Sequence, residues 1–162
     1  MMNYVIFLQN AWSPVYAGQE WPRLSWLRAL KQSRSGQRLR HLLLDSEAED
    51  DIDRWNHCYN LTRWCGFRPS DLMAPDVAYV QGVLQHELPG LVVACGKVAE
   101  AVLTRLWLGP LLVVPHPAWR VLRDEVYQVA RREYMQPGCI GRWRLRQARG
   151  GRVVLHEEIR HG

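Results

Sequence analysis

A chain of 162 residues, 48% of them hydrophobic, is long enough for one ordinary domain with a single core and too apolar to be disordered throughout. No apolar run approaches the roughly 20 residues that span a bilayer, so a helical membrane anchor is not expected. The net charge of +5 is unevenly placed, with six Lys or Arg and no acid over 23–40 and six Arg against two Glu over 135–162. Basic stretches of this kind attract polyanions, and an Arg-rich solvated surface is the plainer reading of each.

In chain order, "YVIFL" over 4–8 reads as a short buried strand. The opening "MMNYVIFLQNAW" lacks the basic segment and cleavage site of a signal peptide, so a cytoplasmic location is expected. A loop with Trp12, Pro14, Gly18, Trp21 and Pro22 follows, then Leu24, Leu27 and Leu30 at helical spacing. A second helix is predicted over 37–44. The acidic run "DSEAEDDID" over 45–53 is expected to form a solvated loop. "HCYNLT" reads as a strand, broken afterwards by Gly66 and Pro69. "APDVAYVQGVLQHEL" starts a helix at Pro75 and Asp76, with apolar positions Val77, Val80, Val83, Leu84 and Leu88.

"LVVAC" is the next strand, Gly96 a tight turn and "KVAEAVLTRLW" a helix. "LLVV" is a strand that runs into Pro115, His116 and Pro117. "WRVLRDEVYQVARREY" then predicts a helix with Leu122, Val126, Val129 and Ala130 inside. The tail "RWRLRQARGGRVVLHEE" alternates apolar and basic residues and turns at Gly150-Gly151, which predicts a terminal β-hairpin. No repeat or long linker marks a second folding unit. The expected organisation is an α/β domain over 1–134 and a basic extension over 135–162, a hairpin packed on the same domain. Alternating strands and helices imply a mostly parallel sheet covered on both faces. Ligands of such sheets sit beyond the carboxyl ends of the strands. That rule puts Gln9, Asn10, Asn60, Gly96 and His116 on one rim.

Cys58, Cys65, Cys95 and Cys139 include no CxxC pair, and His41, His57 and His86 show no pairing either. Free, mostly buried thiols and no metal site are therefore expected.

The chain resembles the uracil-DNA glycosylase superfamily at four places, in order, over most of 4–134, the first of them continuing into a helix start downstream. "LQNAW" stands where the family has GQDPY or GINPG. "WPRLSWLRAL" is similar to its PPSL helix start. "CYNLTRWC" is similar to LLLNAVLT or TNLVKC. "LVVACGKVAEAVL" matches its strand–LG–helix element, and "VPHPAWRVL" matches HPSPLS. The first stretch lacks the family's glycine and proline and has Asn in place of Asp. Ala118 stands where serine is usual, and the cysteines do not match the iron–sulfur branch.

The resemblance implies a three-layer sandwich around a mostly parallel four-stranded sheet, with the C-terminal hairpin added. It implies a monofunctional DNA glycosylase without cofactor or metal. The first stretch, with NAW where the family has DPY, has a rebuilt wall beside C5, so a uracil-like or modified pyrimidine is the expected substrate. The setting would be repair or defence against phage with modified DNA, and a monomer acting on DNA is expected. Asn10 falls at the water-positioning residue and His116 at the catalytic histidine. Asn60 would read the base edge. Trp12 would wall the C5 side, Trp21 would stack on the base, and Gln9 would lie beside it. Gly96, Lys97, Trp119, Arg120, Arg142 and Arg144 would contact DNA, with Arg120 as the wedge left in the gap of a flipped base. Histidine in such a place can donate to a carbonyl oxygen that gains negative charge as the bond to the sugar breaks. Each residue also has a plain role, as a strand-end histidine, a turn cap or a core tryptophan. Two other functions stay open: a non-catalytic module that recognises a modified base, and a hydrolase of free nucleotides or nucleosides.

Overall fold

The chain runs β1 (Tyr4–Phe7), α1 (Arg23–Gln32), α2 (Arg34–Leu43), the single turn α3 (Ile52–Trp55), β2 (Cys58–Tyr59), α4 (Val77–Glu87) and β3 (Leu91–Cys95). It continues through α5 (Lys97–Leu106), β4 (Leu111–Val114) and α6 (Asp124–Val129), which closes in a π-helical turn at Ala130–Tyr134, to β5 (Arg142–Gln147) and β6 (Val154–Glu158). These elements come from a computed structural model that describes residues 3–44, 52–150 and 153–160. Most of the acidic stretch expected as a loop, and Gly151 of the expected turn, lie outside the described residues.

The strands form one sheet in the order β2-β1-β3-β4-β5-β6, parallel except for the last pair. Every residue of β3 and β4 is buried, as expected where helices cover both faces. Alternate residues feed two cores. Ile6, Val93, Cys95, Leu112 and Val114 pack with α1, α2 and α6, while Val5, Phe7, Val92, Ala94, Leu111 and Val113 pack with α4 and α5. Each fully buried Leu, Val or Ile adds about 1.5–3 kcal/mol relative to exposure. The architecture is a three-layer α/β/α arrangement.

Four expectations are corrected. The sheet has six strands and not four, because the hairpin extends it: β5 pairs parallel to β4, Leu111 opposite Arg142 and Val113 opposite Arg144. Its alternation explains this, since Leu145 and Trp143 join the α1/α2/α6 core while the arginines face α5. The face of α1 is Trp26, Leu27 and Leu30, and Leu24 is exposed. In α4, Asp76 caps Tyr79 N–H at 3.0 Å, but Val77 and Leu88 are exposed and Leu88 ends the helix at φ 46°. The helix predicted from Trp119 begins only at Asp124.

No helix among the described residues is long and apolar enough to cross a membrane. Burial keeps the Cys58 thiol protonated, its pKa pushed up to about 12, and pushes Cys95 up as well.

Candidate active site

β4 ends at Val114 and delivers Pro115, His116 and Pro117 to the carboxyl edge of the sheet. The segment 115–123 then stays irregular because its backbone is held from three sides. Tyr127 Oη on α6 donates to the Pro115 carbonyl at 2.5 Å. The Arg38 guanidinium on α2 donates to the carbonyls of Pro117 (3.0 Å), Trp119 and Arg120 (3.2 Å). Gln147 on β5 accepts from Arg123 N–H and donates to the Val121 carbonyl. Carbonyls that a helix would use internally are thus satisfied from outside, which is why the predicted helix starts late.

Within this loop His116 Nδ1 accepts the Ala118 N–H at 3.1 Å. Burial lowers the imidazole pKa, so the ring is neutral at pH 7. A neutral ring whose Nδ1 accepts carries its proton on Nε2. His116 is therefore a preset Nε2–H donor without a full charge.

Gly96 makes the space for it. Its φ of 93° and ψ of 173° lie in a region almost confined to glycine, and a Cβ here would stand 3.1 Å from His116 Cβ. His116 and Gly96 open on a cleft of about 870 Å³, within the range of ligand sites. Lys97, Glu100 and Ala101 of α5 line one wall, Trp119 another, and Arg144, Arg146 and Gln147 of β5 a third. Trp119 is 44% exposed at its mouth.

Gln9, Asn10 and Asn60 form a second cluster on the same edge. The Gln9 carbonyl accepts Leu61 N–H at 3.0 Å, which joins the ends of β1 and β2. Asn10 Nδ2 donates to the Asp71 carbonyl at 3.3 Å, fixing the amide and leaving Oδ1 without a partner among the described residues. The half-buried Asn60 carboxamide makes no hydrogen bond among the described residues and keeps both donor and acceptor. This cluster does not line the His116 cleft. In the observed order, β1 lies two strands from β4 and β2 three, or roughly 10 and 14 Å at the usual strand spacing. The rim is shared, and the cavity is not.

The tryptophans divide. Trp12 Nε1 is buried without a partner among the described residues. Trp21 stacks on Tyr16 at 5.8 Å and 25° and donates from Nε1 to Ser25 Oγ, so one of its ring faces is already covered.

No protein-family model, curated protein or solved structure matches the chain. The chemistry of the site rests on its own geometry.

That geometry reassigns several cations. Arg142 is only 8% exposed, and its guanidinium donates to the carbonyls of Trp107 (2.7 Å), Gly109 (2.9 Å) and Thr104 (3.2 Å). It closes the C-terminal end of α5 and is not available to DNA. Arg144 is held bidentately by Glu100, whose hydrogen bonds raise its pKa further, and it also pairs with Glu157 at 2.9 Å. Arg146 pairs with Glu157. In the 23–40 stretch, Arg23 donates to the Cys58 and Asn56 carbonyls and stacks 3.9 Å over the Tyr59 ring. Arg38 holds the His116 loop, as described above. Lys97 and Arg120 remain exposed. Arg38, Tyr127 and Gln147 were not foreseen as site residues, because a donor to a distant carbonyl leaves no local pattern in sequence.

Proposed function

We propose that the chain is a DNA glycosylase. It everts a nucleotide bearing a uracil-like or modified pyrimidine and hydrolyses the N-glycosidic bond, in repair or in defence against phage with modified DNA. The bond between C1′ and the base breaks, its electron pair leaves with the base, a water oxygen bonds to C1′, and the proton that this water sheds passes through solvent to the departing base anion. Negative charge grows on a base carbonyl oxygen, and positive charge grows on the sugar.

The observation that carries this reading is the neutral, Nε2-protonated His116 at the edge of an open cleft. Such a donor stabilises the growing oxyanion without giving up its proton, and losing a comparable donor costs on the order of 3 kcal/mol. Asn10, its Nδ2 fixed on Asp71, lies outside the His116 cleft, so the water at C1′ must be oriented without it. Trp119 stands at the mouth with Arg120 exposed beside it, as stacking and wedge residues would. The reaction needs no cofactor, and a cytoplasmic monomer would suffice for it.

The test is base release from oligonucleotides carrying uracil, mismatched thymine, hydroxymethylated or glucosylated pyrimidine, read as alkali-labile abasic sites. Release from at least one substrate, reduced on the order of a hundredfold or more in His116→Ala, is expected. No release from any of them, or equal release by the variant, refutes the proposal.

One observation favours a second reading, a binding module that recognises a modified base without cutting. The one carboxylate on the cleft wall, Glu100, is committed to Arg144, so no free carboxylate among the described residues there can take a proton from water. Tight, salt-dependent binding to one of these oligonucleotides without base release would select it.

A further inference from the structure

Of the two basic stretches of the sequence, the tail is largely neutralised in the fold and the 23–40 stretch is not. Arg142, Arg144 and Arg146 of the tail are consumed by carbonyls and carboxylates. By contrast, Arg34, Arg40 and Arg123 make no side-chain hydrogen bond or ion pair among the described residues. All three line one open groove of about 1020 Å³ between α2 and α6. Arg38 shares that groove, and its charge persists although its hydrogen bonds go to the loop. Asp124 and Glu125 oppose these four arginines, and Asp124 already faces His41 at 3.3 Å. Unpaired guanidinium groups along one groove repel each other, and a chain of phosphates relieves that repulsion.

The groove also adjoins the candidate site. The segment 115–123 separates them, with His116 and Trp119 on the cleft and Leu122 and Arg123 on the groove. A strand whose nucleotide enters the cleft would pass over Trp119 and Arg120 and arrive at Arg123 and α2. We propose that this α2–α6 groove is the track for the phosphodiester backbone flanking the everted nucleotide, with Arg34, Arg40 and Arg123 as its phosphate contacts. The inference rests on the DNA reading above, but it does not require cleavage.

The experiment is the salt dependence of binding to a fluorescein-labelled DNA of mixed sequence, single-stranded and duplex, measured by anisotropy. Each lost phosphate contact lowers the slope of log K against log salt by about 0.9 on duplex and about 0.7 on single strand. The double variant Arg34→Gln/Arg123→Gln is expected to lose nearly two units of slope on duplex. Arg149→Gln/Arg160→Gln, at exposed tail positions, is expected to leave the slope unchanged. An unchanged slope in the groove variant, or an equal loss in both, overturns the proposal, as does wild-type protein that fails to bind DNA. A slope lost only in the groove variant supports the track even if no base is released, and the catalytic reading then falls alone.

Discussion

At the scale of single residues, two glycines show how differently the same substitution acts. Gly96 has a backbone conformation that side chains avoid, and His116 Cβ closes the space beside it. Gly96→Ala is expected to cost about 1–3 kcal/mol of stability and to displace the imidazole. Gly82 lies on the exposed face of α4, where an added Cβ would meet nothing within 4 Å, and no backbone strain binds the position to glycine. Gly82→Ala is expected to stabilise by about 0.5–1 kcal/mol. Denaturant unfolding of the two variants measures both. Equal effects would mean that the close approach at Gly96 does not constrain the site. His116 itself follows the same logic. Burial disfavours its charged form, so the unfolded chain binds its proton more readily than the folded one. Stability from this group is complete above about pH 6.5 and declines as the pH falls below that value.

At the scale of elements, the loop after β4 is a suspended segment. It lacks helix or ladder bonds of its own over most of its length, and Arg38, Tyr127 and Gln147 supply what it lacks. Short internal bonds from Trp119 N–H to the His116 carbonyl, from Leu122 N–H to the Trp119 carbonyl and from Ala118 N–H to His116 Nδ1 close it locally. Arg38→Ala removes a charged donor from three carbonyls, a loss of about 2 kcal/mol, or a Tm lower by roughly 4–8 °C in a chain of this size. Amide exchange at Trp119 and Leu122 should quicken in the same variant, while Arg34→Ala on the same helix leaves it alone. Unchanged exchange in Arg38→Ala would remove Arg38 from its positioning role. β5 works in the opposite way, since its arginine face is bound to α5 and Glu100, and its Trp143 and Leu145 face completes a core.

At the scale of the whole molecule, much of the layer order was legible from apolar runs. The strands at Tyr4, Leu91 and Leu111 and the Asp76 cap stand where their residues predict, because burial on both faces leaves an uninterrupted apolar signature. The shared rim followed from the alternation of strands and helices, with Asn10, Asn60, Gly96 and His116 after the carboxyl ends of four parallel strands. Less legible was the destination of the polar groups. An alternating "RWRLR" reads as a solvated basic strand until α5 presents its terminal carbonyls and Glu100 beside it. The helix expected from Trp119 was lost to donors more than twenty residues away in either direction, Arg38 and Gln147. Likewise, nothing local foretold that the His116 cleft would open toward β5 and leave the Asn10 and Asn60 cluster outside its lining. What all these arrangements serve, in this account, is one imidazole kept uncharged with its proton turned outward from Ala118. Long-range proton–nitrogen NMR of the ring, assigned by its loss in His116→Gln, measures that state directly. The account predicts a neutral ring at pH 7, protonated on Nε2, that titrates below about 6.5. A ring that is charged at pH 7, or neutral with its proton on Nδ1, would contradict it.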